Sequence, residues 1–125
     1  MTFRVERTAL RTMTAATDSV TTGKIHGKIL SVKIVTSASN TFNVYTDGSP
    51  VTEYLIGASG APVTVAASTA FYPRVVGNLA GDASALGDTN QANAFVPLCI
   101  DSAVTIAVAS GTAADTWSVE IMYED

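Results

Sequence analysis

Apolar and polar residues alternate along most of this chain, and such alternation is typical of β-strands that bury one face. The last run is the clearest amphipathic strand: Trp117, Val119, Ile121 and Tyr123 take one face, and Ser118, Glu120, Met122 and Glu124 take the other. The preceding run, Val104–Val108, alternates in the same way. Because a Gly-containing turn separates the two runs, we expect them to form a hairpin-like pair.

The longest predicted strand, Lys24–Thr36, changes the parity of its apolar positions. Ile25 and Ile29 form one set, and Leu30, Val32 and Ile34 form the other. A one-residue slip exchanges the faces of a strand. A β-bulge near Gly27 or Lys28 would therefore bring both sets to one face. The alternative is that both faces are covered here.

Shorter predicted strands are separated by turn-forming residues, and no window shows the periodicity of a capped helix. These strands are Thr2–Ala9, Thr41–Thr46, Val51–Ile56, Val63–Ala66, Ala70–Val76 and Phe95–Ile100. Pro73 and Pro97 suit strand edges or bulges, and the segment Gly77–Ala94 is long for a connection. The layout predicts an all-β fold, a single-domain antiparallel β-sandwich. Residues 1–22 would be an N-terminal arm or edge strand, and residues 23–125 the sandwich.

Composition adds that the surface is poor in charge. The 125 residues suffice for one domain with its own core. Charged residues make up only 14%, against about 25% in an average soluble domain. The small and β-branched residues that replace them suit a surface covered by other subunits. The net charge of −4 argues against a nucleic-acid partner.

Cys99 is the only cysteine, which excludes an internal disulfide and indicates a reducing compartment or a fold that needs no cross-link. Between Leu98 and Ile100 we expect its thiol to be a small buried or half-buried apolar group, not a nucleophile. Residues 1–7 lack the apolar centre of a signal peptide. No apolar run reaches the roughly 18 residues of a membrane span, so we expect no membrane partner.

Three basic residues would point to one face of the longest strand: Lys24, His26 and Lys28. They form a candidate basic strip for docking on an acidic partner. The alternative is an ordinary solvated strand face. His26 has no second histidine for a metal site and no nucleophile motif for catalysis. We therefore predict no catalytic residue, no metal site and no cofactor.

Two other groups of residues could bind ligands. Asp82, Ser84, Asp88 and Asn90 could supply oxygen ligands to calcium, although the EF-hand pattern is absent and such residues also make turns. Tyr45, Tyr54, Tyr72, Trp117 and Tyr123 could stack on sugar rings. Trp117 and Tyr123 share the apolar face of their strand, however, which favours a place in the core.

Several segments between about Gly23 and Asp125 follow one another in a recognisable order. They are Gly27–Val32, Thr41–Val44 with Asp47-Gly48, Phe71–Arg74, a loop with Gly81 and Asp82, Phe95–Leu98, Val104–Val108 and Trp117–Tyr123. In this order the chain resembles small β-sandwich virion structural proteins of tailed bacteriophages. The likeness lies in patterned strands, and the first twenty or so residues lie outside it.

The resemblance implies a jelly-roll-like β-sandwich that stabilises a capsid. Some such proteins are cement, or decoration, proteins on the capsid exterior, often as trimers at three-fold positions. It therefore implies binding to the major capsid protein, a homo-oligomer with a trimer favoured, and a place on the capsid surface of the virion after synthesis in the host cytoplasm. Such a role needs no active site, and we do not expect an enzyme.

In that role the N-terminal segment is the candidate capsid contact, through Phe3, Arg4, Val5 and Arg7, because it is extended and mixes apolar with basic residues. An ordinary edge strand is the alternative for this segment. Two other functions stay open. One is a tail or head–tail connector component. The other is a carbohydrate-binding or adhesin module, which would need an exposed Tyr54 or Tyr72.

Overall fold

A computed structural model of the protein describes residues 2–47, 52–76 and 95–125. Within these ranges the chain forms β-strands and no helix. The strands are β1 (Phe3–Arg7), β2 (Arg11–Thr12), β3 (Asp18–Thr21), β4 (Ile25–Thr36), β5 (Asn40–Thr46), β6 (Tyr54–Ile56), β7 (Val63–Val65), β8 (Thr69–Phe71), β9 (Arg74–Val76), β10 (Phe95–Pro97), β11 (Cys99–Ser102), β12 (Val104–Ala109) and β13 (Thr116–Glu124).

The strands form two antiparallel sheets. The larger sheet has the order β1-β13-β4-β11, with β2 also beside β13 and β8 also beside β4. The smaller sheet has the order β3-β12-β5-β6, with β7 also beside β5. A separate two-stranded ribbon joins β9 to β10. The chain passes repeatedly from one sheet to the other, so the predicted all-β antiparallel sandwich is confirmed.

The core lies between the two sheets and follows the alternation of the sequence. Inward positions of β4, β5, β12 and β13 carry Ile, Val, Phe and Trp side chains that are almost fully buried. Phe42 of the smaller sheet packs edge-on against Trp117 of the larger sheet, with ring centroids 6.1 Å apart. Trp117 and Tyr123 both lie in this core, as predicted.

The predicted hairpin between the last two long strands is wrong. Strand β12 pairs with β3 and β5 in the smaller sheet, whereas β13 pairs with β1, β2 and β4 in the larger one. Alternation shows which face of a strand is buried, but it does not identify the neighbouring strand. The turn between β12 and β13 therefore carries the chain across the sandwich.

The parity change in β4 does come from a bulge, but the bulge lies later than predicted. Ile29 pairs with Tyr123 and Ser31 with Met122, so Leu30 is the extra residue. Gly27 has a positive φ of 143° and is required by a close contact with the end of β13, not by the bulge. A Cβ at this position would lie 2.3 Å from the backbone oxygen of Glu124.

The first 22 residues contribute strands to both sheets. Strand β1 lies at an edge of the larger sheet and β3 at an edge of the smaller one. Met13 between them is fully buried in the core. The two ends of the chain meet at one corner, where the backbone N–H of Asp125 donates to the oxygen of Thr2 at 3.1 Å.

Candidate functional site

The outer edge of the larger sheet is formed by β1. Two apolar side chains on this strand face solvent: Phe3 is 65% exposed and Val5 is 46% exposed. Among the described residues, β13 is the only strand that pairs with β1. We call Phe3–Arg7 the β1 edge.

The hydrogen bonds to β13 show which backbone groups of the β1 edge face outward. The N–H of Thr8 donates to the oxygen of Val119 at 2.9 Å, and the N–H of Asp125 donates to the oxygen of Thr2. Hydrogen-bonded residues alternate along an antiparallel pair. The even-numbered residues of β1 therefore bond to β13. Phe3, Val5 and Arg7 turn their N–H and C=O groups to the free side.

The exposed apolar side chains form a small patch on the outer face of the larger sheet. Val5 lies directly opposite Met122 in the register of β1 and β13, and Met122 is 38% exposed. Phe3 lies on the same face, two residues before Val5 along β1. We call Phe3, Val5 and Met122 the apolar patch. Exposed apolar residues that cluster in this way are typical of contact surfaces.

The two arginines of β1 pair with carboxylates of the C-terminal strand region. Arg7 contacts Glu120 at 2.9 Å, and Arg4 contacts Asp125. The hydrogen bond to Asp125 raises the pKa of Arg4 further above its usual value. Glu6, between them, makes no ion pair within the described part of the chain. The predicted contact residues Phe3, Arg4, Val5 and Arg7 thus lie on one strand, with two apolar side chains free and both basic ones paired.

The predicted basic strip is a row of exposed ion pairs. Lys24 Nζ and His26 Nδ1 both lie 3.2 Å from Oδ1 of Asp101 on the neighbouring strand β11. Lys28 Nζ lies 3.8 Å from Oε1 of Glu124 on β13. The hydrogen bond from Lys24, followed by that from His26, lowers the pKa of Asp101. Because Asp101 lies beside Lys24 and Glu124 beside Lys28, the strip offers little net charge to an acidic partner.

A groove of about 600 Å³ opens on the outer face of the smaller sheet. Its lining comes from β3, β5 and β12 and from two loop residues, Thr17 and Pro62. The residues are Thr17, Asp18, Ser19, Thr41, Asn43, Tyr45, Pro62, Ala107, Val108 and Ala109. Alternation along β5 already places Thr41, Asn43 and Tyr45 on one face, so the sequence contained the signal for this groove. Small polar residues on a strand face are common, however, so this pattern alone does not identify a groove.

Two aromatic rings and one amide distinguish this groove from an ordinary strand face. Tyr45 packs against Tyr54 of β6 in a tilted arrangement, with ring centroids 5.3 Å apart. The amide oxygen of Asn43 is buried and has no hydrogen-bond partner among the described residues. It packs against Gly57, where a Cβ would lie 2.0 Å from it. Gly57 therefore allows Asn43 to sit at the floor of the groove.

The other predicted ligand groups have different outcomes. The calcium candidates Asp82, Ser84, Asp88 and Asn90 lie outside the described residues. Tyr72 is exposed and does not line the groove. Cys99 is exposed, which contradicts the expected burial. The reason is its position opposite Lys28, on the outer face of the larger sheet, while Leu98 and Ile100 face inward.

In residues 2–47, 52–76 and 95–125, no three His, Cys, Asp or Glu side chains converge as metal ligands. The same ranges contain no helix long and apolar enough to cross a membrane.

Compared with known proteins, the chain matches no protein-family model, no curated protein and no solved structure. The resemblance to phage virion proteins therefore stays a prediction from patterned strands.

Proposed function

We propose that this protein is a capsid decoration protein that binds the major capsid protein and strengthens the shell. The observation that carries the proposal is the apolar patch of Phe3, Val5 and Met122 beside an open strand edge. A rigid sandwich with a contact surface on one sheet can bridge neighbouring shell subunits. Contacts that are weak singly become strong when they repeat over a shell.

In this role the protein would lie on the capsid surface of a virion. By analogy with the proteins that it resembles, it would act there as a homo-oligomer. It requires a protein partner, with no bound nucleic acid, membrane or cofactor and no catalytic step. A tail or head–tail connector would use the same kind of surface. Copy number separates the two, because a decoration protein covers the whole shell whereas a connector forms a single ring.

The experiment adds purified protein to capsids that lack it and measures binding by co-sedimentation. We expect the double variant F3S/V5S to bind about tenfold more weakly or worse, because central apolar contacts dominate interface energies. Leu10→Ser is the matched control, since Leu10 is equally exposed, at 66%, but does not belong to the apolar patch. Equal binding by F3S/V5S and wild type would remove the apolar patch from the proposal.

The groove supports a second candidate, a carbohydrate-binding or adhesin module. Hydroxyl and amide groups surround an aromatic ring there, and sugars use both hydrogen bonds and stacking on aromatic rings. A glycan array identifies a ligand if this candidate is right. Tyr45→Ala should then abolish binding, while Tyr72→Ala, which removes an exposed tyrosine outside the groove, should leave it unchanged. The absence of any glycan signal for wild type would exclude this candidate.

A further inference from the structure

We propose that the β1 edge pairs with the β1 edge of a second copy of this chain. The two strands would run antiparallel about a two-fold axis at Val5, so that the two larger sheets become one continuous sheet. Strand addition at an open edge is a common mode of protein recognition. A two-fold interface uses the same surface on both copies, so that surface must be complementary to itself.

The backbone groups of β1 are complementary to themselves in this arrangement. Phe3, Val5 and Arg7 are the residues whose N–H and C=O groups face the free side. In the proposed register Val5 lies opposite Val5 of the second copy, and Phe3 lies opposite Arg7 of the second copy. Each outward-facing residue thus meets another outward-facing residue. Such pairs exchange both of their N–H···O bonds in an antiparallel ladder.

The charged side chains of β1 are also complementary to themselves across the proposed two-fold axis. In the same register Arg4 lies opposite Glu6 of the second copy, and Glu6 lies opposite Arg4 of the second copy. These are the non-hydrogen-bonded positions, where side chains on opposite strands approach most closely. Opposite charges at directly facing positions stabilise a strand pair. Glu6, which lacks an ion-pair partner in its own chain among the described residues, gains one.

Other registers are unfavourable. A shift by one residue places outward-facing residues opposite residues whose backbone groups already bond to β13. A shift by two residues in one direction places Glu6 opposite Glu6, and in the other direction it places Arg4 opposite Arg4. Like charges directly opposite each other destabilise a pair. The strand therefore selects one register.

The inference does not depend on the proposed function. Pairing uses the free backbone groups of β1, and the side chains of Phe3, Val5 and Met122 stay on the outer face of the joined sheet. The two apolar patches then lie side by side across the axis. A pair could thus present a doubled contact surface to a capsid, but self-pairing is testable without capsids.

The experiment measures the mass of the tag-free full chain by analytical ultracentrifugation over a range of concentrations. We expect a concentration-dependent dimer with twice the chain mass of 12.9 kDa. Arg4→Glu and Glu6→Arg should each weaken the dimer about tenfold or more at low salt, because each places like charges at both facing positions. The double variant R4E/E6R restores opposite charges and should restore the dimer.

Mixing the two single variants is the sharpest arm of the test. At positions 4 and 6 the R4E chain carries two glutamates and the E6R chain carries two arginines. Equimolar mixing should therefore give a heterodimer although neither variant pairs well with itself. Glu6→Arg leaves the Arg4–Asp125 ion pair in place, so it separates the effect on pairing from any effect of Arg4→Glu within the chain.

A backbone variant tests the hydrogen bonds directly. Val5→Pro removes an N–H that faces the free side and that bonds to nothing in the described chain, so the monomer should fold and the dimer should be lost. Val5→Thr keeps the N–H and should dimerise. Circular dichroism and the melting temperature check that both variants are folded. A monomer at all concentrations, a trimer, or a dimer that ignores the charge reversals would overturn the inference.

Discussion

The carboxylate of Asp18 joins an edge of each sheet. Its Oδ2 accepts hydrogen bonds from Nε of Arg11 at 2.9 Å and from the indole Nε1 of Trp117 at 3.1 Å. Its Oδ1 accepts from Nη2 of Arg11 at 3.0 Å and from the backbone N–H of Ser19 at 2.9 Å. Asp18 belongs to β3 of the smaller sheet, whereas Arg11 and Trp117 belong to the larger one. The Asp18 side chain is 18% exposed and that of Arg11 is 39% exposed, so solvent screens the ion pair in part, whereas the indole of Trp117 is fully buried.

We predict that Asp18→Ala lowers the free energy of unfolding by about 2–3 kcal/mol, because it leaves the buried indole N–H and the Arg11 guanidinium without an acceptor. Urea unfolding measures the change. Asp101→Ala is the matched control: this carboxylate also accepts from two basic side chains, Lys24 and His26, but it is exposed, and we expect no measurable change.

The effect of Asp18→Ala should depend on pH. The hydrogen bonds from Arg11, and then those from Ser19 and Trp117, lower the pKa of Asp18 from its ordinary value of 3.8. A lowered pKa gives stability that is present above the ordinary value and is lost as the pH falls through the folded-state pKa. The difference between wild type and Asp18→Ala should therefore be constant near neutral pH and shrink below about pH 4. A constant difference down to pH 2 would contradict this assignment.

At the scale of elements, β4 contains two backbone irregularities with different causes, a bulge at Leu30 and a positive φ at Gly27. Leu30 is the bulged residue that restores the inward parity of Val32 and Ile34. Gly27 has no Cβ, which allows the backbone at the end of β13 to approach it closely. Alternation in the sequence predicted that a bulge was needed. It placed the bulge too early in the strand, because Gly27 is required by a contact with Glu124, nearly a hundred positions away.

We predict that Gly27→Ala destabilises the fold by about 2 kcal/mol or more, because a side chain at this φ is strained and its Cβ would collide with backbone atoms of β13. Gly23→Ala is the control. That position has no atom within 4 Å of an added Cβ, so its effect should stay within about 0.5 kcal/mol. Thermal unfolding of the two variants makes the comparison. Similar melting temperatures for both variants would contradict the prediction and would show that the backbone at the end of β13 shifts at little cost.

At the scale of the whole molecule, the sequence predicted the fold class and most of the core but not the pairing of strands. The buried faces of β12 and β13 follow directly from alternating Val, Ile and Trp residues. Their assignment to different sheets depends on contacts between distant segments, and no local pattern encodes those. The same limit applies to Asp18, whose partners Arg11 and Trp117 come from both ends of the chain.

The candidate surfaces were predicted in part. The exposure of Phe3 and Val5 agrees with an N-terminal segment of mixed character, and both residues belong to the apolar patch. Met122 was placed on the outer face of its strand, but its contact with Val5 requires the β1–β13 register. The basic strip was predicted from one strand alone, and Asp101 and Glu124 of neighbouring strands change its meaning. The net charge of a sheet surface depends on the side chains of all adjacent strands, not on those of one strand.

The backbone contact between Asp125 and Thr2 has a practical consequence for any fusion to this protein. A purification handle or reporter attached at either end would emerge at one corner, beside the strand whose self-association is in question. Such an attachment would obstruct that strand sterically, whichever end carries it. Measurements of assembly therefore call for cleaved handles, or for a label placed at the exposed Ala58–Ala61 turn.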